Sequence, residues 1–365
     1  MKKILCIFGT RPEAIKMAPV VQELKKYPER FSVVVCVTGQ HRGMLDQVLE
    51  LFSIKPEYDL DLMKDNQTLS ELTSRVLVGV DAVLGKEAPD WVLVQGDTTT
   101  AMAASLAAFY HRVKIGYVEA GLRTGDIHNP FPEEVNRKII SNFSDLYFAP
   151  TKTAADNLLK EAIPSGKIII TGNTVIDALQ LVAQKPYDWA SGPLASIPRD
   201  RRLILVTTHR RENFGEPLEH ICEGLRRIAT KYNNVQIVIP VHLNPNVRTT
   251  VTTLLGNIDT ISLLEPLDYA SLVQLLKEST LVATDSGGLQ EEAPAFGKPV
   301  LVLRETSERP EGIEAGVAKI VGTDADNIEH AISTLLNDQD AYGSMAHAMN
   351  PYGDGNASAR IVAAL

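Results

Sequence analysis

Short, almost unbroken apolar runs recur along the chain, each followed by a helix-length stretch of amphipathic spacing. In the first half the runs are KILCIF, FSVVVCV, DWVLVQ, VKIGYV, DLYFAP and KIIIT; in the second they are RLILVTT, VQIVIPV, TISLLE, TLVATD, PVLVL and AKIV. Strands that are apolar on both faces and separated by helices belong to a parallel sheet covered on both sides. The pattern predicts the α/β class. It breaks once, at QKPYDWASGPLASIPRDRR (184–202), where three prolines and a glycine interrupt any helical or strand period. A linker there leaves a Rossmann-like, doubly wound domain on each side, 1–183 and 203–354, and predicts two such domains facing each other across a cleft. The last residues, GNASARIVAAL (355–365), read as a short helix whose docking partner the spacing leaves open.

Length and composition refine this picture. A chain of 365 residues is comfortable as two domains, each with its own core. Hydrophobic residues make up 44% and charged residues 22%, and no apolar run approaches the ~18 residues a membrane helix needs, so no membrane partner is expected. The first run is too short for a signal peptide, which predicts a cytoplasmic protein. Cys6, Cys36 and Cys222 are few, odd in number and set in apolar or helical surroundings, and so read as buried thiols in a reducing compartment. A net charge of −9 argues against a nucleic-acid partner but allows a small anion held by local arginines.

In doubly wound sheets ligands bind beyond the carboxyl ends of the strands, so candidate chemistry is sought in the strand-end loops. FGTRPEAIKMAPV passes through Gly9 to Arg11 and Pro12, which open a helix carrying Lys16. Proline suits a first helical turn, and free amides beside two cations suit an anion; a capped helix with solvated charges is the plainer alternative. In VQGDTTTAMAA, Asp97 ends a strand either as a helix N-cap or as a functional carboxylate. GYVEAGLRTGD puts Glu119 after a buried strand, where a carboxylate is costly unless paired or used, and Arg123 is the near candidate partner. NPFPEEVNRKIISN begins a helix at Pro132 with Glu133 and Glu134 in its first turn, and Arg137 is spaced to pair with Glu133. Each carboxylate has a structural alternative, but Asp97, Glu119 and Glu133 on strand-end loops of one domain are better explained jointly by acid/base chemistry.

The second half supplies different groups. In LVTTHRRENFG, His209 lies just past a strand with Arg210, Arg211 and Glu212 behind it, and IPVHLNPNV repeats the placement with His242. TDSGGLQEEAPAFGKPV runs from a strand into Ser286, Gly287 and Gly288 and then a helix with Glu291 and Glu292. Amides freed there would hold a diphosphate and a carboxylate one turn in would bind ribose hydroxyls, with a simple capped helix as the alternative. The G-x-S-x-G elbow that a serine nucleophile needs is absent. RETSERPEG adds Arg309 as a second cation for the same phosphates. With no G-x-G-x-x-G and no acidic residue ending the second strand, a nicotinamide cofactor loses its support, and no histidine pair or Asp-rich loop suggests a metal. No cofactor is expected.

GTRPEAIKMAP, VQGDTTT, VEAGLRTGD, PFPEEVNR, TGNTVIDAL, TTHRREN and TDSGGLQEEAP, followed by FGKPVLVLRETSERPE, occur in an order and spacing that resembles the bacterial non-hydrolysing UDP-N-acetylglucosamine 2-epimerases over nearly the whole chain. The resemblance implies the two-domain glycosyltransferase-B architecture, a homodimer, and a final helix that returns to the first domain. It implies reversible epimerisation of UDP-N-acetylglucosamine (UDP-GlcNAc) at C2 to UDP-N-acetylmannosamine, by elimination and re-addition of UDP through 2-acetamidoglucal, supplying N-acetylmannosamine units for cell-surface polysaccharide. Arg11, Lys16, Ser286, Gly287, Gly288, Glu292 and Arg309 then match UDP-binding positions, and Asp97, Glu119, Glu133 and His209 match catalytic ones. A second UDP-GlcNAc, bound as an activator, would meet Gln40, His41, Glu134, Arg210 and His242. A UDP-sugar transferase of the same architecture and a hydrolysing 2-epimerase are the competing readings.

Overall fold

A computed structural model of the chain describes residues 1–39, 42–64 and 67–365. Each of the apolar runs forms a strand. In the first half these are β1 (Lys2–Phe8), β2 (Phe31–Val37), β3 (Tyr58–Asp59), β4 (Trp91–Gln95), β5 (Lys114–Val118), β6 (Leu146–Ala149) and β7 (Ile168–Ile170). The second half contains β8 (Arg202–Thr207), β9 (Val235–Pro240), β10 (Ile261–Leu264), β11 (Ser279–Thr284), β12 (Val300–Val302) and β13 (Ala318–Ile320). Only β3 was not anticipated; two residues at a sheet edge carry no apolar run to announce them.

Among the described residues the strands form two sheets, ordered β3-β2-β1-β4-β5-β6-β7 and β10-β9-β8-β11-β12-β13, with every pairing parallel. Parallel neighbours need a crossover, and the intervening helices supply it while covering both faces. The fold is α/β with two doubly wound parallel-sheet domains. In each sheet the strand order reverses once, between β1 and β4 in the first and between β8 and β11 in the second. A crevice opens at such a reversal, because successive crossovers leave in opposite directions.

The chain divides into two compact units, Met1–Leu181 with Tyr352–Leu365, and Val182–Pro351. The core of the first stacks Leu5, Ile7, Val92, Val94, Ile115 and Tyr117, and that of the second Ile204, Val206, Ile237, Ile239, Leu281 and Ala283. Each fully buried aliphatic side chain of this kind stabilises the fold by about 1.5–3 kcal/mol. Residues 184–201 run as turns and bends, and they group with the second unit. Leu194 and Ile197 are buried there, the Tyr187 hydroxyl donates to Ser271 Oγ at 2.9 Å, and the Lys277 ammonium donates to the Ala183 carbonyl at 3.2 Å.

The final helix, Ala357–Ala364, packs in the first unit against the helix Arg11–Lys25. Its opening amides are capped from outside the segment: the Asp177 carboxylate accepts from the amides of Ala357 (3.2 Å) and Ser358 (2.8 Å) and from the Ser358 hydroxyl (2.6 Å). This satisfies donors that a helix start otherwise leaves open. Among the described residues no helix is long and apolar enough to cross a membrane.

Candidate active site

In the first unit the loops after β1, β4 and β5 are tied together by buried carboxylates. Thr10 and Glu13 form a capping box at the start of Arg11–Lys25. The Glu13 carboxylate accepts from the amides of Gly9 (3.0 Å) and Thr10 (2.7 Å) and from the Thr98 hydroxyl (2.7 Å), so it fastens the β1 loop to the β4 loop. Burial pushes its carboxyl above the ordinary range, with the hydroxyl and amide donors pulling the other way. Arg11 is partly buried and, among the described residues, has no hydrogen-bond or ion-pair partner.

Beyond β4, Thr98 caps the helix Thr99–Tyr110, its hydroxyl accepting from the Ala101 amide at 3.1 Å. Asp97 is thereby relieved of a capping role. Its carboxylate takes both Nη2 (2.5 Å) and Nε (2.9 Å) of Arg137, while its carbonyl accepts from the Asn136 amide at 2.8 Å. Past β5, Glu119 is buried with a left-handed backbone, φ 65°. A non-glycine residue held there costs on the order of 1–3 kcal/mol and persists only where its surroundings insist. Its carboxylate accepts from Lys16 Nζ (2.5 Å), from Asn173 Nδ2 (3.1 Å) and from the Gln95 amide.

Two expected pairs do not form. Arg123 turns away from Glu119 and makes a two-pronged bond to Glu161 (2.8 and 2.7 Å), because the intervening turn at Gly121, φ 92°, carries the chain aside. A Cβ at Gly121 would lie 2.1 Å from the Ala154 carbonyl oxygen, so that turn requires glycine. Arg137 passes over Glu133 and pairs with Asp97 and Glu134 (2.9 Å). Glu134 is fully buried and also accepts from the amides of Thr124 and Gly125, both at 3.2 Å, so its present contacts hold a loop. Glu133, in the first turn of Glu133–Phe143, is partly buried and has no partner among the described residues.

The second unit uses its strand reversal differently. The ends of β8 and β11 are joined by a hydrogen bond between the hydroxyls of Thr207 and Thr284 at 2.6 Å. One residue beyond β11, Asp285 is fully buried and gathers the β8 loop: its Oδ2 accepts from the amides of His209 and Arg210 (both 2.9 Å) and from Asn213 Nδ2 (3.0 Å). Oδ1 lies 3.0 Å from His209 Nδ1. Burial pushes the Asp285 carboxyl up, but His209 and the amide donors outweigh it and hold the group below its ordinary range. The His242 ring stacks on His209 with centroids 5.9 Å apart, and His242 Nδ1 accepts from the Asn244 amide at 3.1 Å.

Ser286 stands at the N-cap of Gly287–Glu292, yet its side chain makes no capping bond. A Cβ placed on Gly287 would lie 3.7 Å from Nη2 of Arg309 and 3.8 Å from Nη2 of Arg210. One placed on Gly288 would lie 3.6 Å from Glu292 Oε1 and 3.8 Å from Ser286 Oγ. Two guanidiniums thus flank the first glycine, and a hydroxyl and a carboxylate flank the second. The cations are held from behind, Arg309 Nε by Glu291 and Arg210 by Glu308 at 3.6 Å. Buried Arg304 bridges Glu212 (2.6 Å) and Glu308 (3.3 Å). Free amides at a helix start with two arginines beside them suit an anion with several oxygens.

The family model for UDP-N-acetylglucosamine 2-epimerase matches residues 22–365. The chain belongs to the UDP-N-acetylglucosamine 2-epimerase family. As a member of that epimerase family it is an enzyme of the isomerase class. It is 53% identical over 369 residues to the UDP-N-acetylglucosamine 2-epimerase of Salmonella typhimurium, covering 100% of this chain and 98% of that one. It is 54% identical over 360 residues to that of Bacillus subtilis, covering 99% and 94%. The crystal structure of UDP-GlcNAc 2-epimerase from Neisseria meningitidis bound to UDP-GlcNAc superimposes with a TM-score of 0.88 at 48% identity, covering 99% of each chain.

Within the two units, sequence reasoning singled out Asp97, Glu119, His209 and the glycine pair but missed the groups that hold them. Asp285 stood unremarked beside Ser286, and the T-x-x-E of TRPE was a visible capping-box signal for Glu13. Gln95 and Asn173 carried no local signal as partners of Glu119, nor Arg137 as a partner of Asp97, since each meets that carboxylate across a long stretch of chain. Gln40 and His41 lie outside the described residues.

Proposed function

We propose that the protein interconverts UDP-GlcNAc and UDP-N-acetylmannosamine without hydrolysis, by eliminating UDP and adding it back. The observation that carries this reading is the setting of Glu119: a buried carboxylate on strained backbone, oriented by an ammonium and two amides, with Asp97 on the neighbouring strand-end loop. Inversion at C2 is awkward because no carbonyl lies beside that carbon to acidify its hydrogen. Breaking the C1–O bond to UDP develops positive charge at C1, which weakens the C2–H bond and lets a carboxylate remove the proton. The products are bound 2-acetamidoglucal and UDP, and the carboxylate holds the proton. Returning UDP to C1 and a proton to the opposite face of C2 completes the exchange. Two faces call for more than one acid/base group, the role we give to Asp97, Glu119 and Glu133.

Gly287, Gly288, Ser286, Arg309, Arg11 and Lys16 would bind UDP, Glu292 its ribose, and His209 would assist departure of the diphosphate. Donors aimed at charge that grows on the leaving phosphate contribute a few kcal/mol each. Neither nicotinamide nor metal enters the scheme. Regulation by a second UDP-GlcNAc is part of the proposal; its support is that Arg210 directly follows His209, with its amide on the same Asp285 carboxylate, and that the His242 ring stacks on His209. A cytoplasmic homodimer supplying N-acetylmannosamine units for polysaccharide completes the reading. Exposed Phe109 and Tyr110, with Phe109 stacked on Phe143 at 5.0 Å, support a subunit face.

The test is reaction of UDP-GlcNAc alone in deuterated water, followed at C2 by NMR. Deuterium at C2 in both nucleotide sugars is the expected result. Epimerisation with the C2 proton retained would sink the elimination route, free N-acetylmannosamine as the main product would favour a hydrolysing enzyme, and no product without an added acceptor would favour a transferase.

A further inference from the structure

The carboxylate of Asp285 has no part in the mechanism above, yet it is fully buried at the strand reversal of the second sheet and contacts the imidazole of His209. We infer that Asp285 is a positioning residue: it fixes His209 with the Nδ1–H directed at its own Oδ1, leaving Nε2 as the nitrogen that takes up a proton and delivers it to the departing diphosphate. The inference rests on the epimerase reading for its catalytic consequence, but not for its geometry.

Three features make the orientation specific. First, the loop cannot drift from the carboxylate, because the backbone amides of His209 and Arg210 both bond to Oδ2 at 2.9 Å. Second, a buried carboxylate accepts and does not donate, so the 3.0 Å contact between its Oδ1 and Nδ1 favours the form of the imidazole that carries a proton on Nδ1. Third, the stacked His242 has its own Nδ1 committed to the Asn244 amide, so it does not compete for Asp285. The Asp–His arrangement follows the general logic by which a buried acid sets the tautomer of a working imidazole. Because Asp285 directly precedes Ser286 and Gly287, the same residue also registers the His209 loop against the anion-binding turn.

Asp285→Asn tests this with a predictable chemical result. Three donors converge on Oδ2, so the amide oxygen of asparagine takes that place and its NH2 group faces His209 Nδ1. An NH2 group there forces Nδ1 to accept, and the neutral imidazole must carry its proton on Nε2. Nitrogen-15 NMR of the histidines at about pH 9, above the ordinary imidazole range, reads the tautomer directly, with His209→Gln identifying the signal. The expected result is Nδ1–H in the wild type and Nε2–H in the variant, a kcat about 100-fold lower, and a UDP affinity within about threefold. An Nε2–H signal in the wild type overturns the inference, whether or not the variant folds. So does a variant that keeps its kcat, or one whose loss falls on KM alone. A wild type that does not epimerise UDP-GlcNAc would defeat the proposed function while leaving the tautomer assignment to its own spectrum.

Discussion

The two units share one topology and spend it on opposite charges. At the β1/β4 reversal of the first unit, carboxylates are brought in and cations or amides hold them: Lys16 on Glu119, and Arg137 on Asp97 and Glu134. At the β8/β11 reversal of the second, Asp285 is likewise a carboxylate held by amides, but around the glycine pair the roles invert. There Arg210, Arg304 and Arg309 are brought in, and Glu212, Glu291 and Glu308 hold them around a pair of glycines. A doubly wound sheet therefore dictates where a ligand is met but not which sign of charge meets it. The sign is set by a few residues in the first turn beyond the strands, with glycine deciding whether backbone amides join in.

If the first unit performs the acid/base work, the largest effect should come from Glu119→Gln. We expect kcat to fall about 1000-fold, within the range that positioned acid/base groups contribute, with the fold retained by circular dichroism. A loss under tenfold in the NMR assay would move the chemistry elsewhere. Arg137→Met addresses the holding cation. It strands the fully buried Glu134 and the partly buried Asp97, and breaking such a pair costs about 3 kcal/mol, which a urea titration would register. Unchanged stability would mean that Glu134 is satisfied by the Thr124 and Gly125 amides alone.

The second unit is sharpened by Gly287→Ala. The added methyl would sit at ordinary contact distance, 3.7–3.8 Å, from both guanidiniums, so the fold should tolerate it, while the approach of phosphate oxygens to the helix amides is obstructed. UDP affinity measured by calorimetry should weaken about tenfold, near 1.4 kcal/mol, with stability unchanged. Undiminished affinity would show that the anion does not use this turn.

The smallest effect separates the units by pH. Asp285 has a depressed carboxyl, so its contribution to stability is present above the ordinary carboxylate range and is lost as pH falls below about 4. Glu13 is raised, so its contribution is present at low pH and is lost as pH rises through the elevated value. Chemical denaturation across pH should therefore find the penalty of Asp285→Asn shrinking towards acid. The stability of Glu13→Gln relative to the wild type should improve towards neutral pH. Parallel curves for the two variants would refute the opposite signs.

What the sequence alone determined is whatever depends on near neighbours. Unbroken apolar runs between amphipathic segments specify parallel strands buried on both faces, and Pro132, Pro245 and Pro310 at helix starts specify where several loops end. The strand-end positions of Asp97, Glu119, His209 and Gly287 follow from these. Pairing was another matter. Spacing along the chain suggested Glu119 with Arg123 and Glu133 with Arg137, because i,i+4 proximity is the only adjacency a sequence displays. The tertiary structure instead joined Glu119 to Lys16, 103 residues away, Asp97 to Arg137, 40 away, and the Asp285 carboxylate to the His209 amide, 76 away. Those partners meet because β1, β4 and β5 lie side by side and β8 lies beside β11, an order set by the crossovers. A buried charge takes the best donor that this packing places within reach, wherever the donor lies along the chain.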